Sequence, residues 1–143
     1  MDMATFPSVE WFKAARDLAN KSESFKHFGT CDTEMGVKVD DRYFEIDFEA
    51  FEVADVKEID EERAAQLDFT LVQSYDDWKS MLLNIKEHGR AEHEFTLNSL
   101  DLRSAQELAI GKDYVRRDAF YRFNQTIQDF FDLSAKIDTA YAK

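Results

Sequence analysis

Two hydrophobic periods divide this chain, and each dictates a different kind of backbone. From Met35 to Glu49 the apolar residues alternate with polar ones: Met35, Val37 and Val39, then, past Asp40 and Asp41, Phe44, Ile46 and Phe48. A period of two puts them on one face of a strand pair. With Asp40 and Asp41 as a two-residue turn, Val37 lies opposite Phe44 and Met35 opposite Ile46, so both strands turn their apolar residues the same way. Towards the C-terminus Phe120, Phe123, Ile127, Phe130 and Phe131 follow helical spacing and make one broad stripe. Phe accounts for 13 of 143 residues, and rings placed this regularly must face something apolar. The implied fold is α+β: a single-layer curved antiparallel sheet of four to five strands, covered on one face by helices and ending in a long C-terminal helix. A solid core is the simpler reading of the rings, and a pocket for an apolar ligand is the alternative.

Local signals fill in the remaining elements. Pro7 and Ser8 suit a helix start, and Val9 to Ala19 reads as a helix with Trp11, Ala15 and Leu18 on its buried side. Asn20 to Thr30 is polar and reads as an ordered loop or short helix pinned by Phe25 and Phe28. A third strand falls between Phe51 and Ile59, where Val53 and Val56 differ in parity and imply a bulge. A fourth runs from Asp68 to Ser74 with Phe69 and Leu71 inward. Ser74 caps the next helix, Asp76 and Asp77 favour its first turn, Tyr75, Trp78, Leu82 and Ile85 form its stripe, and Gly89 ends it. Ala91 to Leu102 reads as helix and Lys112 to Asp118 as a charged connection. Asp118 is the expected cap of a terminal helix from Ala119 to about Tyr141.

The length fits one domain over residues 1–143, large enough to bury about 70% of the unfolded chain's surface. No apolar run approaches the ~20 residues that cross a bilayer. Residues 1–12 have neither a basic start nor an apolar run, so a secretory signal or transit peptide is not expected, and the expected location is cytoplasmic. The net charge of -12 repels phosphate backbones, which argues against nucleic acid as a partner.

Motifs for chemistry are sparse. Cys31 is the single cysteine, flanked by Thr30 and Asp32, and reads as a small buried residue. His88 and His93, with Glu87, Glu92 and Glu94, lack the spacing of a metal pair on one helix face, so no metal is expected. The four glycines form no phosphate-binding loop or dinucleotide fingerprint, so no nucleotide cofactor is expected. Glu45, Asp47 and Glu49 alternate with the apolar residues and read as a solvated sheet face. Arg116, Arg117 and Arg122 concentrate positive charge. They either grip an anionic head group or pair with Asp113, Asp118 and Asp129.

Several stretches resemble the sterol-carrier-protein type-2 family of lipid carriers. Phe6, Pro7, Ser8, Trp11 and Phe12 are similar to that family's opening helix, and Met35 to Asp47 to its first hairpin. Asp68-Phe69-Thr70-Leu71 through Ser74-Tyr75-Asp76-Asp77-Trp78 resembles its strand-to-helix junction. The resemblance covers roughly residues 6–88, and the pattern diverges beyond Gly89. It implies noncatalytic binding or transfer of a sterol, fatty acid or acyl-CoA in a tunnel between sheet and helices, with no cofactor. The residues assigned to such a pocket are Phe44, Ile46, Phe48, Leu71, Trp78, Leu82, Phe123 and Ile127, with Arg117 and Arg122 at its mouth. Two other classes stay open. One is an interaction module, a homodimer or an accessory to a lipid-metabolising enzyme. The other is a small cone-fold isomerase, which needs a carboxylate or histidine among inward positions that carry neither.

Overall fold

The hairpin forms in the expected register. The computed structural model describes residues 3–92, 95–97, 109–111 and 113–141. In it, strand β2 (Thr33–Val39) and strand β3 (Arg42–Glu49) pair with Val37 opposite Phe44 and Met35 opposite Ile46. Asp40 adopts a positive φ of 54°, as the tight turn of a two-residue hairpin requires. Strand β4 (Glu52–Ile59) continues the meander, and its register shifts opposite Asp47 and Phe48. That bulge brings Val53 and Val56 to the same buried side despite their parity.

Strand β5 (Phe69–Gln73) corrects the expectation of an antiparallel sheet. It lies beside β2 and runs parallel to it, Met35 matching Phe69 and Val37 matching Leu71. With strand β6 (Ala109–Ile110) the five strands are ordered β4-β3-β2-β5-β6, a mixed sheet. The connection from β4 to β5 crosses the outer face through a short helix α3 (Glu61–Ala64) capped by Asp60. Apolar alternation fixes the face of a strand but not the direction of its neighbour, so it could not reveal this crossover. Gly36 makes the close packing possible. A Cβ there would sit 2.5 Å from Thr70 Oγ1 and 3.1 Å from Leu67.

Helices cover the inner face. Helix α1 (Val9–Lys21), capped by Ser8, buries Trp11, Phe12, Ala15 and Ala19. Its last turn packs at the edge of the sheet, where the Asn20 amide exchanges two hydrogen bonds with the backbone of Val53. Helix α2 (Glu23–His27) buries Phe25, whereas Phe28 is 41% exposed and does not pin the connection. Helix α4 (Tyr75–His88) is capped by Ser74 and closed by Gly89 in the left-handed conformation. Most of the helix expected over Ala91–Leu102 lies outside the described residues; within it, Leu97 is fully buried and donates its N–H to Gln128 Oε1.

The long terminal helix is instead a series of short segments. These are α5 (Tyr114–Arg117), where a charged connection was expected, α6 (Ala119–Arg122) and α7 (Asn124–Asp132), followed by a 3-10 turn (Leu133–Lys136). Asp118 has helical angles and makes no capping bond, and Phe123 breaks the run at φ -108°, ψ 18°. The aromatic stripe survives these breaks because α6 and α7 both lie on the same core. Beyond it, strand β7 (Thr139–Tyr141) pairs in parallel with strand β1 (Ala4–Phe6). No helix among the described residues is long and apolar enough to cross a membrane.

Candidate ligand-binding site

The central inward sheet positions are Met35, Val37, Val39, Phe44, Ile46, Phe48, Val53, Val56, Phe69 and Leu71, all buried and none titratable, with Thr33 and Arg42 on the same face at the strand ends. Rings from the helices complete the layer. Phe12 meets Phe44 at 4.9 Å, Phe130 meets Phe48 edge-on at 5.7 Å, and Phe120 meets Phe69 at 5.7 Å. Trp78 stacks on Phe131 at 5.2 Å. Both indoles keep their N–H satisfied, Trp78 by the Lys38 carbonyl at 2.8 Å and Trp11 by Thr139 Oγ1 at 3.0 Å. A polar partner at the rim is what allows so large a ring to be buried.

Seven of the residues assigned to a pocket, Phe44, Ile46, Phe48, Leu71, Trp78, Leu82 and Ile127, belong to this one interior, and none is more than 3% exposed. Phe123 stands apart, half-buried at the break between α6 and α7. It shares an open cleft of about 410 Å3 with Phe28, Tyr121, Arg122 and Thr126. The arginines do not gather into one cluster. The Arg116 guanidinium reaches Asp68 at 2.8 Å, while Asp113 accepts from the backbone N–H groups of Val115 and Arg116. Arg117 lies beside Gly111. Arg122 stands over the Phe123 ring at 5.3 Å and pairs with Asp118 at 3.8 Å.

The opposite face of the sheet departs from the reading of a solvated surface. Glu45 has no exposed surface, because α3 lies over it and Arg63 donates to both its oxygens. Burial disfavours its charge, but the bonds from Arg63 outweigh that and hold its pKa below the usual value. Asp47 sits beside it without such a partner. Burial, together with the adjoining Glu45 carboxylate, pushes Asp47 up to about 7. Glu34 completes a group of three carboxylates, offset by Arg63 at 3.1 Å from Glu34 and by Lys57 at 3.8 Å from Glu45. Arg63 and Lys57 thus neutralise Glu34 and Glu45 directly. Sequence reading missed this network because Arg63 lies in a segment with no periodic signal. Cys31 is buried, and desolvation pushes its thiol up to about 12, the opposite of an activated nucleophile.

Chemically, the inner layer offers hydrocarbon, aromatic faces and thioethers, an environment suited to an apolar guest and poor in proton-transfer groups. No family model matches the sequence, and no curated protein matches it. Among solved structures, the fold is similar to the crystal structure of sterol carrier protein 2. The TM-score is 0.63 at 14% sequence identity, and the match covers 91% of this chain and 97% of that one. The chain therefore has a sterol-carrier-protein-2-like fold, as its hairpin and strand-to-helix junction imply.

Proposed function

We propose that the protein binds or carries a lipid-like molecule between the sheet and its helical cover and performs no chemistry on it. The observation that carries this reading is the likeness of fold to a sterol carrier over 91% of the chain, combined with a predominantly apolar interior on the inward side of the sheet. Affinity would come from apolar area removed from water, at about 25 cal/mol per Å2. The lining residues touch one another, so a guest displaces part of the cover. The segments α6 and α7 are the natural part to move, being short, broken at Asp118 and Phe123 and lacking side-chain caps. Arg122, over the Phe123 ring at the surface, is placed to meet an anionic head group. A cytoplasmic location is part of the proposal.

Native mass spectrometry of freshly purified protein, with solvent extraction of whatever is bound, tests this directly. A retained lipid, and quenching or enhancement of Trp78 fluorescence on adding sterol or long-chain fatty acid, are the expected results. Phe123→Glu should reduce the fluorescence response. Protein that retains no lipid and leaves its tryptophan emission unchanged with every apolar ligand would refute the carrier reading.

A further inference from the structure

The outer face of the sheet holds a second, separate opening. A groove of about 370 Å3 runs across β3, β2, β5 and β6, lined by Lys38, Tyr43, Thr70, Val72 and Ile110 on the sheet side. Ala64, Ala65 and Leu67, from α3 and the turn after it, form the other wall. That volume falls within the ~300–1,000 Å3 of small-molecule sites. The walls are mostly hydrocarbon, and Ile110 is left 47% exposed at the sheet edge. Two polar side chains stand together at one end. Lys38 and Tyr43 are directly opposed in the β2–β3 register, so both project from the same face, and Lys38 Nζ lies 5.5 Å from the centre of the Tyr43 ring. Neither side chain forms a hydrogen bond or ion pair with another described residue.

In a chain of 30 acidic and 18 basic residues, a half-buried lysine with an aromatic neighbour in place of a carboxylate is conspicuous. The ammonium and the phenol together provide two donors suited to one carboxylate. Glu61 also lines the groove, but it is exposed on the rim and free to turn to water. We propose that this groove binds a small amphiphilic carboxylate, its charged end held by Lys38 and Tyr43 and its apolar body lying on Leu67, Val72 and Ile110. The site is on the opposite side of the sheet from the lipid-binding interior and is independent of it.

Alternation along β5 supplies the assay, since Leu71 faces the core and Val72 the groove. Methyl NMR during titration with octanoate should shift Leu67, Val72 and Ile110 while leaving Ile46, Leu71 and Ile127 unchanged. Octanamide and octylamine should bind weakly or not at all. Lys38→Met should weaken octanoate about tenfold, as expected for a charge-assisted bond of about 1.4 kcal/mol. Tyr43→Phe, which removes only a hydroxyl, should weaken it severalfold without unfolding the protein. Shifts confined to the core methyls would overturn this site while favouring the interior as the place of binding. Equal binding of octanoate and octylamine, unchanged affinity in both variants, or no shifts at all would overturn it as well.

Discussion

Arg63 donates hydrogen bonds of 2.9 and 3.1 Å to the two carboxylate oxygens of Glu45, clamping helix α3 onto the outer face of the sheet. The geometry is that of a bidentate fork, and the acid has no solvent to fall back on. Removing one partner strands the other, so Arg63→Met should lower the melting temperature markedly and raise the pKa of Glu45. The double variant Arg63→Met, Glu45→Leu should recover much of the loss, because no buried charge is then left unpaired. Thermal unfolding of the two single variants and the double variant checks this, and additive losses would contradict it.

Asp47 makes stability depend on pH in a defined window. Its pKa is raised from the ordinary 3.8 to about 7 in the folded protein, so the native state holds a proton that the unfolded state releases. The associated stabilisation is complete below the unfolded value and is lost as pH rises through the folded one. Urea midpoints should therefore show a falling contribution between pH 4 and pH 7 that is absent in Asp47→Asn. An identical pH profile in wild type and variant would show that Asp47 ionises normally.

Gly36 lies where β5 and the turn after α3 crowd the outer face of β2. Gly36→Ala pushes a methyl into Thr70 Oγ1 and Leu67 and should cost roughly 1–3 kcal/mol, the range for overpacking. Chemical denaturation measures it, and a neutral effect would mean that the α3 turn yields without cost.

Ala50 holds a positive φ of 54° at the turn between β3 and β4, a conformation that strains any residue with a Cβ. Ala50→Gly should relieve that strain and stabilise the fold by about 0.5–1 kcal/mol, after the greater flexibility of the unfolded glycine chain is set against it. A lowered denaturation midpoint would contradict the assignment.

Phe44 touches Phe12 on the inner side and Arg42 near its ring. Phe44→Ala should cost about 3–5 kcal/mol through lost burial and the cavity left behind. A variant melting like the wild type would mean that this side of the hairpin is not the core.

The legible parts of this molecule are those where a single local signal decides the outcome. Ser8, Ser74 and Gly89 mark helix boundaries by their own chemistry, and the Asp40–Asp41 turn fixes the register of everything from Thr33 to Phe48. Periodicity likewise brought seven of the ten assigned site residues into one interior. What escaped depends on partners distant in sequence. The parallel neighbour of β2 lies beyond the meander. The burial of Glu45 depends on a four-residue helix carrying Arg63, and a solvated face gives the same alternation as a covered one. The stripe from Phe120 to Phe131 reads as continuous because it records which residues face the core, not whether the backbone between them is unbroken.

The pairing of Ala4–Phe6 with Thr139–Tyr141 also bears on how the chain folds. The Trp11–Thr139 hydrogen bond joins positions 128 apart, whereas the β2–β3–β4 meander needs only neighbouring residues. Loop-closure entropy favours the meander first and this seam last, so we expect the seam to set the folding rate. The same order in reverse makes it a low-cost place for the native state to open, and amide exchange at Phe6 and Tyr141 should run ahead of exchange at Val37 and Phe44.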